Sequence, residues 1–291
     1  MTPRPPRSVV ARGSTLARRA LLGGAAGLAL AACADRASPP VTPTRHRYGR
    51  HPQQFGDLYL PPGREARGTI VVVHGGFWQQ MYGLSLGADT SADLARRGWA
   101  AWNIEYRRLG DGGGWPTTCA DVAAAVDGLA RLPGVPTGRV VGLGHSAGGQ
   151  LAVWAASRDA STPGGRPRVK LHAAVSQAGV LQLARAAESG LGGTAVPDLV
   201  GGMPDRLPER YALVDPSRRV PIGVPVRCVH GTGDTTVPLS QSSGFVRAAR
   251  EAGDDAELVT VPGDHFALID STTAAWRRTV RVLDDLGPGG G

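Results

Sequence analysis

Val140-Val141-Gly142-Leu143-Gly144-His145-Ser146-Ala147-Gly148-Gly149-Gln150-Leu151-Ala152-Val153-Trp154 carries more information than any other stretch of the chain. Its first part is an apolar run that reads as a buried strand, and its last part has the composition of a helix. Between them stands Gly144-His145-Ser146-Ala147-Gly148, a GxSxG. A strand that turns sharply into a helix forces the central residue into strained dihedrals and brings neighbouring backbone close, which is why glycine is required on either side. The serine hydroxyl is then held at the C-terminal end of the strand, above the free amides of the helix N-terminus. Gly makes up 42 of 291 residues, so the pentapeptide needs support from its context.

Outward from this stretch, apolar runs alternate with helical patterns. Strands are expected at 68–73, 99–106, 139–144, 171–177, 224–230 and 256–261, and helices at 88–97, 117–132, 147–158, 239–252 and 271–286. Most of the strand segments are near-continuous apolar runs, as in strands covered on both faces. The alternation predicts an α/β fold with a mostly parallel central sheet flanked by helices. Residues 48–60 are expected to add one or two antiparallel edge strands. The rhythm breaks at 180–221, which is rich in Gly, Pro and Arg and reads as a short cap-like insertion within a domain spanning 46–286. Long interruptions of this kind tend to be lids or binding loops.

The first 32 residues hold Arg4, Arg7, Arg12, Arg18 and Arg19, no acidic residue, and then an apolar stretch of about a dozen residues. They read as an export signal, too short to cross a bilayer that needs roughly 20 helical residues. The segment ends in Leu30-Ala31-Ala32-Cys33, which resembles a bacterial lipobox, so Cys33 is the expected lipidation site; the Arg18-Arg19 pair also resembles a twin-arginine signal. The proline-rich residues 33–45 read as a tether and 287–291 as a loose tail. The expected location is the outer face of a bacterial cell membrane, with contact to the membrane only through the lipid anchor.

Setting aside the five signal arginines leaves +3 of the +8 formal charge, and the remaining basic residues are dispersed without interleaved aromatics. That pattern excludes nucleic acid as a partner. No His/Cys cluster has the spacing of a zinc site, and neither metal nor organic cofactor is expected. Whether Cys119 and Cys228 pair stays open, as does the oligomeric state.

A serine hydroxyl is a weak nucleophile unless an imidazole accepts its proton and a carboxylate holds that imidazole in the right tautomer. His265 lies in a loop just past the last strand, whereas His230 still belongs to a strand end. The turn Gly231-Thr232-Gly233-Asp234 places Asp234 after the penultimate strand, giving the chain order Ser146, Asp234, His265. Val73-His74-Gly75-Gly76-Phe77-Trp78 ends another strand in glycines. The Gly76 and Phe77 amides, with that of Ala147, are the candidate oxyanion donors. His74 is expected to order that loop by hydrogen bonding. Trp78, Trp115 and His145 are candidates for the wall of a substrate pocket.

His-Gly-Gly-Phe-Trp at 74–78, Asn103-Ile104-Glu105-Tyr106-Arg107-Arg108-Leu109, Gly114-Trp115-Pro116, Asp121-Val122 and Gly-His-Ser-Ala-Gly-Gly at 144–149 together resemble the esterase/lipase branch of the α/β-hydrolases. The resemblance extends to feruloyl and acetyl-xylan esterases and to kynurenine formamidase. Residues 229–238 resemble the acid loop of prolyl-oligopeptidase-type enzymes. The resemblance implies the α/β-hydrolase fold and a serine hydrolase that cleaves small-molecule carboxylic esters through an acyl-enzyme. An amidase or peptidase is the alternative within the same scaffold, and a hydrolase-like surface binding module without catalysis is the alternative outside enzymes.

Overall fold

A computed structural model describes residues 40–286. The expected export signal, with Cys33, and the tail at 287–291 lie outside the described residues. Eight strands form one sheet in the order β1-β2-β4-β3-β5-β6-β7-β8. They are β1 (Thr44–Arg47), β2 (Phe55–Tyr59), β3 (Thr69–Val73), β4 (Ala100–Ile104), β5 (Val140–His145), β6 (Ala173–Gln177), β7 (Val226–Gly231) and β8 (Ala256–Val261). From β4 to β8 every pairing is parallel, and β1 and β2 add antiparallel pairings at one edge. The chain thus adopts the α/β-hydrolase fold.

The layering follows from the alternation of side chains along each strand. In β3, Val71 and Val73 face a core shared with α2 (Thr117–Gly128) and α3 (Ala147–Ala156), where Cys119, Val126, Leu151 and Trp154 are buried. Ile70 and Val72 face the opposite core under α1 (Ala88–Arg96) and α8 (Ala274–Leu286), with Leu94, Trp276 and Leu283. Helix α7 (Ser240–Glu251) covers the far end of the sheet through Phe245 and Ala249, beside Cys228 of β7. Each large apolar side chain so covered contributes about 1.5–3 kcal/mol. No described helix is long and apolar enough to cross a membrane.

Two expectations need correction. Thr44 and Arg45 belong to an edge strand, not to a tether. The strand has no apolar alternation to reveal it, because its contacts are polar: Arg45 lies opposite Asp57 in the ladder, bonds its carboxylate at 2.7 and 3.0 Å, and places its guanidinium over the Phe55 ring. The insertion at 180–221 is also less of a lid than its composition suggests. It forms α4 (Leu183–Glu188), α5 (Ala195–Val200) and α6 (Pro208–Val214), whose Val196, Leu199, Tyr211 and Val214 join the core beneath α3. Carbonyls of Leu213 and Val214 accept from Trp154 Nε1 and Gln150 Nε2 of α3, which anchors the segment.

Cys119 and Cys228 are free, fully buried thiols in separate cores. Burial pushes the Cys119 thiol far up and the Cys228 thiol up to about 12. Neither thiol is expected to react with a disulfide reagent such as DTNB in the folded protein at pH 8, and both react once it is unfolded in guanidinium. Rapid titration of either in the native state would contradict this placement.

Candidate active site

The turn from β5 into α3 places Ser146 at φ 54°, ψ −120°, in the left-handed half of backbone space. A residue with a Cβ resists this conformation by about 1–3 kcal/mol, so the surroundings must hold it there. The Ser146 amide donates to the Gln177 carbonyl at 2.8 Å, and its own carbonyl accepts from Gly149 and Gln150. A methyl group at Gly148 would fall on the carbonyl oxygens of Val73 and His74, and one at Gly144 on the Gly148 carbonyl. The spaced glycines of the pentapeptide are therefore demanded by backbone packing, Gly148 against the end of β3 and Gly144 against the start of α3.

Asp234 and His265 come from adjacent loops beyond β7 and β8, stitched together by Thr232 donating to Val261 at 2.8 Å and Gly233 to Gly263 at 2.9 Å. Asp234 Oδ2 lies 2.6 Å from His265 Nδ1, while Oδ1 accepts from the amides of Thr236 and Val237. Burial would raise the Asp234 carboxyl, but the His265 hydrogen bond and those two amides outweigh it and its pKa is lowered. The carboxylate is fixed as an anion facing the ring. His230 is buried on the inner side of the same loop, with Nδ1 2.8 Å from Ser242 Oγ and Nε2 donating to the Val237 carbonyl at 3.0 Å. Its function in the fold is to brace the acid loop.

Across the site, the loop after β3 carries positive φ at Gly76, Phe77 and Trp78. His74 orders it: Nε2 is 2.8 Å from Glu105 Oε1, Nδ1 is 2.7 Å from the Gly75 carbonyl, and the ring stacks on Tyr106. Tyr106 in turn donates its hydroxyl to the His74 carbonyl at 2.9 Å. Glu105 also accepts from the amides of Leu84 and Tyr106 and pairs with buried Arg108 at 3.1 Å. Burial pushes the Glu105 carboxyl up, yet His74 and Arg108 more than offset this, and its pKa is lowered. Among the described residues, the amides of Gly76, Phe77 and Ala147 have no acceptor. They are available to a substrate oxygen.

Ser146, His265, Gly76 and Phe77 meet at one cavity of about 70 Å³, walled further by Tyr82, Leu86, His145, Thr236 and Phe266. Ser146 and His265 share this space without a direct hydrogen bond among the described residues; such contacts often tighten only in the substrate complex. Asp234 stands behind His265. Of the candidate pocket residues, only His145 lines the cavity. Trp78 is fully buried in the core, with Nε1 donating to Gln150 Oε1 at 3.2 Å, and Trp115 packs half-buried against the same core with its amide on the Leu199 carbonyl. Neither wall comes from 180–221, whose nearest contribution is Gly192 packed on the Phe77 ring. Among the described residues no group of His, Cys, Asp and Glu is disposed to hold a metal.

Residues not foreseen as part of the site are Glu105, Arg108, Tyr82, Leu86, Thr236 and Phe266. Glu105 and Arg108 stood in one of the diagnostic motifs but gave no sign of their partners. His145 is tied to the base loop: Nε2 donates to the His265 carbonyl at 2.9 Å, and its ring lies 4.5 Å from that of His265. Burial, reinforced by neighbouring His265, lowers its pKa to about 3.

Two outcomes follow from these buried groups. Glu105→Ala leaves Arg108 and His74 without their carboxylate, and should cost about 3–5 kcal/mol in urea unfolding; a loss below 1 kcal/mol would contradict the network. His145 is held neutral in the fold but gains a proton near pH 6.5 once unfolded. Its stabilising contribution is therefore complete above pH 6.5 and is lost progressively toward pH 3, by about 3 kcal/mol between pH 7 and pH 4. A His145→Gln variant should lose less stability than the parent over that interval.

Comparison with known proteins agrees with this architecture. The BD-FAE family model matches residues 56–248, a stretch that includes Ser146 and Asp234 but ends before His265. A truncated carbohydrate esterase from gut microbiota superposes with a TM-score of 0.73 at 20% identity, covering 86% of this chain and 98% of that one. Esterase B from Lactobacillus rhamnosis, inhibited by a tributyrin phosphonate, gives 0.72 at 23% identity, covering 85% and 87%. Esterase 2 from Thermogutta terrifontis, phosphoramylated by tabun, gives 0.67 at 24% identity, covering 84% and 93%. A search of curated proteins found no match. With its fold, its elbow and two thirds of its length within the family's pattern, the chain belongs to the BD-FAE family of α/β-hydrolase esterases.

Proposed function

We propose that this hydrolase cleaves carboxylic esters through an acyl-enzyme formed on Ser146. The observation that carries the reading is the 2.6 Å contact of Asp234 with His265 Nδ1, beside a cavity that His265 shares with Ser146 on its strained turn. With Nδ1–H held by the carboxylate, Nε2 is left with a lone pair to take the Ser146 proton. The serine oxygen then attacks the ester carbonyl carbon, and the oxygen of the tetrahedral intermediate takes hydrogen bonds from the free amides of Gly76, Phe77 and Ala147. Collapse expels the alcohol, which receives the proton from Nε2. Water then attacks the acyl-enzyme with the same imidazole as base, releasing the acid and restoring the serine.

The parts reinforce one another energetically. Removing one oxyanion donor from such a site costs about 10²–10³ in kcat. The His74–Glu105 bond fixes the loop that presents two of the three.

A fluorophosphonate probe should label the protein at one serine, and Ser146→Ala should abolish labelling and lower kcat for p-nitrophenyl acetate by about 10⁴-fold or more. Labelling that persists in Ser146→Ala would sink the assignment. The sequence of residues 1–33 supports an exported, lipid-anchored location for this reaction. In a bacterial host, incorporation of labelled palmitate should disappear in Cys33→Ser; unchanged incorporation would refute the anchor.

A further inference from the structure

The size and polarity of the cavity at Ser146 bear on which esters can enter, and the inference rests on the esterase reading above. The space beside Ser146 is about 70 Å³ and opens on one side to solvent. An apolar cavity of about 150 Å³ binds benzene, and sites for drug-sized ligands run to roughly 300–1,000 Å³. The space cannot easily deepen. Behind the shared wall of Leu86 and His145 lies a void of only about 10 Å³, bounded by Gly75, Gly87 and Thr90. That is at or below the size of one water molecule, roughly 10–15 Å³ on the same measure. His145 is itself tied down by its bond to the His265 carbonyl.

The outward side is different. Six large apolar side chains are exposed among the described residues: Leu60, Met81, Tyr82, Met203, Leu239 and Phe266. Tyr82 and Phe266 line the cavity, 41% and 59% exposed, and Met81, 79% exposed, adjoins Tyr82 in sequence. Two of the six exposed large apolar groups thus belong to the rim of one small opening. Exposed apolar groups gathered around a polar site mark a binding surface. The Phe266 ring is braced edge-on against His265, at 5.4 Å and 87°, so it is presented in a fixed orientation. The Tyr82 ring packs over Gly76, where a side chain would displace it.

Charge narrows the choice further. Apart from its histidines, the lining holds no ionisable residue other than Tyr82: no Asp or Glu to receive an ammonium group, no Lys or Arg to receive a carboxylate. An aminoacyl or free-acid substrate would have to desolvate its charge there without a partner, which is costly.

We infer that the small cavity takes an uncharged acyl group of two or three carbons, and that the alcohol portion leaves across the rim, where Tyr82 and Phe266 present apolar rings. The preferred substrates are acetyl and propionyl esters of alcohols that present a ring, and aromatic acyl groups are excluded. Tyr82 and Phe266 are then specificity-determining residues for the leaving group, and Leu86 sets the limit on acyl length.

The test uses the full chain with p-nitrophenyl acetate, propionate and hexanoate, p-nitrophenyl ferulate, and the pair phenyl acetate and ethyl acetate. Acetate and propionate should be hydrolysed with kcat/KM at least about 100-fold above hexanoate and ferulate, since each misfit methylene costs about 10-fold or more. In Leu86→Ala the ratio of acetate to hexanoate should fall by about 10-fold. In Tyr82→Ala and Phe266→Ala, kcat/KM for phenyl acetate should fall about 5- to 10-fold relative to ethyl acetate, as expected for lost stacking. Hexanoate or ferulate turned over as fast as acetate would overturn the acyl limit, and an unchanged phenyl-to-ethyl ratio in both rim variants would overturn the leaving-group assignment. Absence of turnover on every ester, together with no fluorophosphonate labelling, would instead remove the esterase reading, and this inference with it.

Discussion

Ser146 is held at φ 54° only because β5 and α3 meet there with backbone pressed on backbone, Gly148 lying under the carbonyls of Val73 and His74. That close approach does more than strain one residue. It brings the end of β3, and hence the Gly76 and Phe77 amides, to the same level as the start of α3 with its Ala147 amide. The three free amides and the Ser146 side chain are therefore placed by a single packing event. The parallel register carries this outward, since His145 pairs beside Gln177 of β6, and β6 beside β7, whose following loop holds Asp234. Loops at one end of a parallel sheet are thereby made to converge.

A second constraint is the group of buried charges behind the loop that follows β3. Three consecutive residues with positive φ would relax if left alone, and two of them carry side chains that oppose it. Glu105 prevents this by receiving His74, two backbone amides and Arg108 at once. A buried ion pair contributes little net stability by itself, but breaking one leaves a charge stranded. The loop is thus locked by the cost of its alternatives.

Much of this was readable from the chain. Continuous apolar runs such as Ile70–Val73 and Val140–Leu143 can be satisfied only in a sheet covered on both faces, so the parallel core follows from local pattern. Ser146, Asp234 and His265 were selected by their positions after strands, and the structure brings the three to one place. What escaped were features made by contact across the fold. The polar Thr44–Arg47 has no alternation to mark it as a strand. Trp78 stood as a candidate for the pocket wall, yet its ring turns inward to Gln150 on a loop where Phe77 and Trp78 take positive φ. Tyr82 and Phe266 are separated by the length of the domain, and nothing local connects them. The insertion shows only short helical stretches in its composition, and nothing local marks its alanines and valines as part of the core beneath α3.

Arg45 and Arg47 on β1 have a consequence at the scale of many molecules. The outer edge of an eight-stranded sheet offers a row of free N–H and C=O groups on which another chain could add. In this protein that edge is a four-residue strand, too short for a stable intermolecular ladder, and two of its four residues are permanently cationic. A second copy adding there would bring four guanidinium groups into one short ladder. The residues that made the strand hard to recognise as one are those that disfavour addition of another chain at this edge of the sheet.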